Sequence, residues 1–232
     1  MDIHSTTFEI EKFPPPLAVL GIGAIEQHSH HLSISTDYDI AVALSQAVAE
    51  RLQAILLPAL PYSDSLVHRG FAGTVYLRPL TLRQVIYDIA ESLEEWKVRH
   101  VAILNCHGGN FILTPAIREW NLDHRLPHLL HIDAYAGLSS VMGHNVHACE
   151  IETSLMLYLR REAVRMDQAV DFVPPHHRSD LSYFPLKELS PEGVWGYPTK
   201  ATAETGKAFF ETLLEYCTSR IRELVEKYSK LI

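Results

Sequence analysis

Three short polar segments of this 232-residue chain carry the residue types that hold divalent cations. The first is Gly23-Ala24-Ile25-Glu26-Gln27-His28-Ser29-His30-His31, followed by Thr36-Asp37. Glu26 and His28 stand two apart, so on extended backbone they project to one face. A carboxylate and an imidazole aimed together suit zinc, manganese or iron, and a short loop can return Asp37 to the same place. The competing reading is a polar strand end whose side chains bond to backbone. The second segment is Asn105-Cys106-His107-Gly108-Gly109-Asn110. Its paired glycines, between an apolar run and a helical pattern, let backbone N–H groups approach an anion or a carbonyl oxygen. It has no Lys and no Walker spacing, so it does not read as a phosphate loop. Cys106 is either a nucleophile or a small buried thiol; nothing marks it as activated, so the thiol reading is preferred.

The third segment is His147-Ala148-Cys149-Glu150-Ile151-Glu152-Thr153-Ser154. Glu150 and Glu152 cannot share a helix face, and either is also explained as an acid favoured by a helix N-terminus. Ile151, Leu155 and Tyr158 read as core-facing, which makes Glu152 the expected inward carboxylate. His147, on the loop before it, is placed to shuttle a proton.

Such segments need a scaffold. Apolar runs at Leu17–Ile22 and residues 54–60, 101–104 and 129–132 read as strands. They alternate with helical patterns at residues 40–52, 80–97, 111–121, 150–160 and about 201–227. Alternation of this kind predicts a three-layer α/β/α fold with a mostly parallel central sheet. No repeat or linker divides the chain, so one domain is expected over residues 1–232, with an N-terminal arm (1–16) ending at Pro14-Pro15-Pro16. Two strands run into His-bearing segments, and in open α/β sheets ligands bind at that carboxyl edge.

Composition narrows the function classes. Lys and Arg total 20 against 28 Asp and Glu, a net charge of −8; with no dense basic run, a generalist nucleic-acid binder is excluded. No apolar run approaches the roughly 20 residues that span a bilayer, and no secretory leader pattern opens the chain. Three cysteines without CxxC spacing fit a reducing compartment, so a cytoplasmic protein is expected.

Taken together, Glu26-Gln27-His28 with His31 and Asp37, Asn105-Cys106-His107-Gly108-Gly109-Asn110, and His147-Ala148-Cys149 with Glu152-Thr153-Ser154 resemble the creatininase (creatinine amidohydrolase) family. His68-Arg69-Gly70-Phe71-Ala72-Gly73-Thr74 and residues 193–202 match further family stretches, in order, so the likeness runs from about residue 17 to residue 210. Ser29-His30 replaces the family's Gly-Pro, Ser33 its Pro, and Cys106 and Cys149 its glycines.

The resemblance implies two divalent metal ions per subunit (Zn, Mn or Fe). Glu26 and His107 would hold one, His28 the other, and Asp37 would bridge them. Creatininase itself adds a Glu two residues after the second motif's His; here that position is Gly109, and the remaining ligand is assigned to Glu152, with Glu150 as the alternative. His147 and Glu152 are then the catalytic pair, His147 transferring protons. His31, Gly108, Gly109, Asn110 and Trp195 are the expected substrate contacts, while His176-His177 shapes the pocket.

The implied activity is hydrolysis of a C–N bond in a small amide, formamide or cyclic amide by a hydroxide shared between the cations. No counterpart of the tryptophans that close over creatinine is found, so creatinine itself is not the expected substrate. The alternative is a peptidase trimming a cofactor-precursor peptide on the same dinuclear site. A non-catalytic binding protein would have lost at least one ligand, and all five are present. The family's ring-like hexamers imply a homo-oligomer.

Overall fold

The two inner strands of the central sheet sit between helices, so their residues are mostly apolar on both faces. A computed structural model of the protein describes residues 1–231. Its elements in order are α1 (Thr7–Lys12), β1 (Leu17–Ile22), α2 (Thr36–Leu52), β2 (Ile55–Leu60), α3 (Pro79–Glu95) and β3 (His100–Asn105). They continue with α4 (Leu113–Asp123), β4 (His128–Asp133), α5 (Glu150–Leu159), α6 (Leu186–Leu189) and α7 (Ala203–Leu231). The four strands are all parallel, in the order β2-β1-β3-β4.

Alternation along the strands splits the core in two. Ala18, Leu20, Ile22, Val101 and Ile103 pack with Leu82, Ile86, Leu93 and Trp120 of α3 and α4. Val19, Ala102, Leu104, Leu130 and Ile132 pack on the other face with α2, α5 and α7. The result is the expected α/β/α sandwich. No described helix is long and apolar enough to cross a membrane.

Two details differ from the sequence reading. Helix α2 begins at Thr36 rather than residue 40, so Asp37 lies in a helical first turn and not on a returning loop. Tyr158, expected to face the core, is 41% exposed, whereas Ile151 and Leu155 are buried. Between β4 and α7 the chain also forms α5, a 3-10 turn at Arg178–Ser182 and α6.

Candidate metal centre

The carboxyl ends of β1 and β3 and the first turns of α2 and α5 converge on one rim of the sheet. Gly23, just past β1, makes the first approach possible: a Cβ there would stand 2.5 Å from the Asp37 carbonyl oxygen. Only a glycine lets α2 begin against the strand tip and so bring Asp37 beside Glu26 and His28. β3 delivers His107 two residues beyond Asn105. Glu152 is the third residue of α5, and His147 is pinned by a backbone bridge to Trp195, with N–H···O distances of 2.9 and 3.2 Å.

The chain bends sharply at two of these points. Ser29 (φ 59°) and Ala148 (φ 46°) are left-handed without being glycine, and each directly follows a site histidine. Such a conformation costs about 1–2 kcal/mol, and strain of this kind collects at functional sites. Ser29 stands where the family pattern has glycine.

Asp37 is the hub. Its Oδ1 lies 3.2 Å from His28 Nε2, and its Oδ2 accepts from His107 Nδ1 at 2.9 Å. Glu26 Oε2 is 3.4 Å from His107 Nε2, and Glu152 Oε1 is 4.0 Å from His28 Nε2. Glu26, Asp37 and His107 bring ligand atoms close enough for one ion, as do His28, Asp37 and Glu152. Both groups contain Asp37. A third, overlapping group is Glu26, His28 and His147.

The donor chemistry fits cations. Both oxygens of Glu26 and Nε2 of His28 are buried without a hydrogen-bond partner, although each lies near opposite charge. Lone pairs converge here where N–H groups would otherwise point. Each imidazole is tied from behind by a backbone carbonyl: His28 Nδ1 to Glu26 O (3.1 Å), His107 Nε2 to Asp64 O (3.0 Å) and His147 Nε2 to Gln27 O (2.8 Å). Metal-binding histidines are oriented in this way by an outer shell. Glu152 serves twice, because its Oε2 accepts the Cys149 N–H at the start of α5 (3.3 Å) while Oε1 faces His28. The helix-terminal acid and the inward-facing carboxylate expected from sequence are thus the same side chain.

Burial opposes charge on every one of these groups, and neighbours decide the outcome. Burial lifts the Glu26 carboxyl to about 7 and raises Glu152. It also opposes charge on Asp37, but His28 and the His107 hydrogen bond outweigh it and hold that carboxyl well below the usual range. His28 likewise overcomes burial through Asp37 and rises to about 10, and His107 rises to about 9 through Glu26 and Asp37. In the metal-free chain two imidazolium ions balance the carboxylates. His147 and His68, pushed well down by burial and neighbouring imidazoles, are neutral.

A cavity of about 350 Å³ opens onto Glu26, Asp37, His107, His147 and Glu152, with Gly108 and Gly109 on its wall. Gly109 has no room for the glutamate that creatininase carries there: a Cβ would sit 2.4 Å from His107 Nε2 and 2.5 Å from Asp64 O. Glu150 belongs to none of the ion-sized groups. Cys106 is fully buried with its thiol pushed far up by burial, as the inert reading required.

Two expected substrate contacts are placed elsewhere, while Asn110 stays in the wall of a neighbouring cavity. His31 is fully buried behind the cluster, its Nε2 3.0 Å from Thr153 Oγ1. Trp195 is buried among Leu186, Leu189 and Phe71, and meets the site only through its backbone hold on His147. Asn110 ties two loops together, accepting from Asp64 N–H and donating to Asn105 Oδ1. His176 and His177 join no ion-sized group.

Sequence reasoning missed His68. Its Nε2 is 3.3 Å from Glu26 Oε1, its Nδ1 accepts from Gln27 Nε2 (3.1 Å), and its ring packs 4.3 Å from that of His147. The available clue was its place in the His68–Thr74 family-like stretch.

Comparison with known proteins places the chain in a family. The family model for creatininase (creatinine amidohydrolase) matches residues 3–221. A mycofactocin precursor peptide peptidase of Mycobacterium ulcerans is 31% identical over 224 residues, covering 89% of this chain and 84% of the relative. A creatinine amidohydrolase of Pseudomonas putida is 28% identical over 90% of this chain and 88% of its own. A mutant creatininase of Zn-Zn type superposes with a TM-score of 0.81 at 24% identity, covering 96% of this chain and 97% of that one. The chain belongs to the creatininase family of hydrolases.

Proposed function

We propose that this protein is a dinuclear metal-dependent hydrolase that cleaves an amide bond within an extended, peptide-like substrate. One observation carries the reading: the cavity over the buried donors that share Asp37 has wall residues in common with two neighbouring cavities. Across Gly108 and Phe111 lies a compartment of about 360 Å³, and across Val67 and Leu181 another of about 390 Å³. A small amide needs one compartment, whereas a chain of several residues uses all three. The likeness to precursor-peptide peptidases points the same way, so the peptidase alternative is preferred here to the small-amide reading.

Glu26, Asp37 and His107 would hold one divalent ion and His28, Asp37 and Glu152 the other, with zinc, manganese or iron all suited to this donor set. When bound, such ions make water a nucleophile at neutral pH and polarise a carbonyl. The chain's own residues do the rest. His147 donates from Nε2 to Gln27 O, which leaves its Nδ1 facing Glu26 at 3.7 Å. A neutral imidazole there accepts a proton at Nδ1 and delivers it to the departing nitrogen, which leaves poorly as an anion. His68 packs against that ring, and the Gln27 backbone carbonyl holds it from behind.

Exposed Tyr183 and Phe184 at the cleft mouth support a homo-oligomer, as the family's hexamers suggest. The three free buried cysteines are in keeping with a cytoplasmic protein. The test is a release assay on metal-reconstituted protein across unblocked peptides, formamides, cyclic amides and creatinine. Peptides should be cut with the highest kcat/KM. Preferential turnover of a formamide or cyclic amide would overturn the peptide reading and keep the hydrolase.

A further inference from the structure

The compartment on the β4 side of the cleft is built to recognise something polar. Two of its lining residues bury polar atoms that lack any hydrogen-bond partner, Tyr135 Oη and His131 Nε2. Buried polar groups are almost always satisfied, so these two atoms in the compartment's wall residues stand out. Arg178 lines both this compartment and the one above the metal-ligand cluster. Its guanidinium lies over Gly108, 3.5 Å from where a Cβ would stand. Among the described residues, the arginine ion pairs and side-chain hydrogen bonds belong to Arg51, Arg83, Arg160 and Arg220, and none to Arg178.

Arg178 is exposed, and its guanidinium stands without an acidic partner where these two compartments meet. With divalent ions neutralising Glu26, Asp37 and Glu152, the positive charge of Arg178 stands uncompensated beside the reaction centre. Asp133 also lines the compartment and is itself exposed; its carboxylate repels an anion from its own end and leaves the Arg178 end for one.

We propose that Arg178 binds a carboxylate carried by the substrate, and that the residue bearing it occupies the Tyr135–His131 compartment. A planar guanidinium matches a carboxylate with two parallel hydrogen bonds, the arrangement that gives both strength and orientation. This anchors the chain on one side of the cluster and sets which amide lies over it. The inference rests on the peptide reading above and names its specificity. The carboxylate belongs either to a chain terminus or to an acidic side chain, since both present the same group.

The experiment uses metal-reconstituted full-length protein and three peptides that differ only in their terminal group or in a single residue. One has a free terminal carboxylate and neutral side chains, one is amidated with a single glutamate, and one is amidated and neutral. For wild type, kcat/KM for at least one carboxylate-bearing peptide should exceed that for the neutral one by about tenfold or more, through KM. In Arg178→Ala that ratio should fall to about one, and Arg178→Lys should restore part of it. The favoured acidic peptide identifies the source of the carboxylate. Equal cleavage of all three by wild type, or a ratio that survives Arg178→Ala, would overturn the inference. Calorimetric binding of the same peptides separates the two claims. If none is cut, the peptide reading fails, and an affinity ratio that is tenfold in wild type and lost in Arg178→Ala would still support the carboxylate site. A flat ratio would end it.

Discussion

The two ends of the same sheet both bury histidines, and they treat them in opposite ways. At the carboxyl rim, His28 and His107 face Asp37 and Glu26 and are held protonated, at about 10 and about 9. At the amino rim, His100 and His128 are a cross-strand pair on β3 and β4, with rings 5.3 Å apart. Tyr228 of α7 stacks on His128 at 3.9 Å. No carboxylate is among the groups that shift this pair; burial, His128 and Arg99 push His100 down to about 4, and burial and Arg99 lower His128. Both pairs are buried, so burial does not distinguish them. What differs is the neighbour: carboxylates turn an imidazole into a charged group that a cation can replace, whereas rings turn it into a flat packing element. The 14 histidines of the sequence therefore say little until their carboxylates are located.

The largest effect expected from breaking this contrast is at Glu26. Glu26→Gln keeps the shape and removes the charge from a buried carboxylate that faces His68 and His107. It should lower bound metal below two ions per chain and reduce turnover by about 10³-fold or more, read by metal analysis beside rate measurements on folded protein. Unchanged metal content would remove Glu26 from the ligand set.

The next effect is on pH dependence. His28 and His107 have folded-state values raised above the ordinary 6.5. Their contribution to stability is therefore fully present below about 6.5 and is lost as pH rises through about 9 to 10. In the metal-free protein the melting temperature should fall from pH 8 to pH 10.5, leaving the carboxylates unbalanced. In the loaded protein divalent ions do that balancing, and the fall should be smaller. Superimposable curves with and without chelator would contradict the account.

His100 runs the other way. Its lowered value means stability that is present above about 6.5 and is lost as pH falls toward 4. The smallest effect is expected from His128→Phe, which keeps the stack on Tyr228 and removes an unpartnered Nδ1. Metal content and turnover should stay within about twofold of wild type, with a melting temperature equal or slightly higher. A loss of metal would show that the two rims are coupled.

The layers and strands of this fold were legible because strands buried on both faces are continuous apolar runs and helices repeat every three or four residues. The metal-ligand candidates were legible because each stands in a short polar segment at a strand or helix end. Four features were not. His68 sits alone in a turn, and its partner Glu26 is on another loop, so local spacing carries no trace of the contact. The inward or outward face of a ring is equally hidden, which is why His31 and Trp195 read as substrate contacts although both are buried behind the cleft. Asp37 read as a loop residue because the polar first turn of α2 has no apolar face to reveal it. Arg178 escaped notice for the same reason as His68: what matters is the partner it lacks.

The central claim is that Asp37 joins two ions, and anomalous scattering from crystals grown with Mn²⁺ tests it most directly. The account predicts two peaks per chain, both beside Asp37, one toward Glu26 and His107 and the other toward His28 and Glu152. A lone peak among Glu26, His28 and His147, the third group close enough to hold an ion, would contradict it.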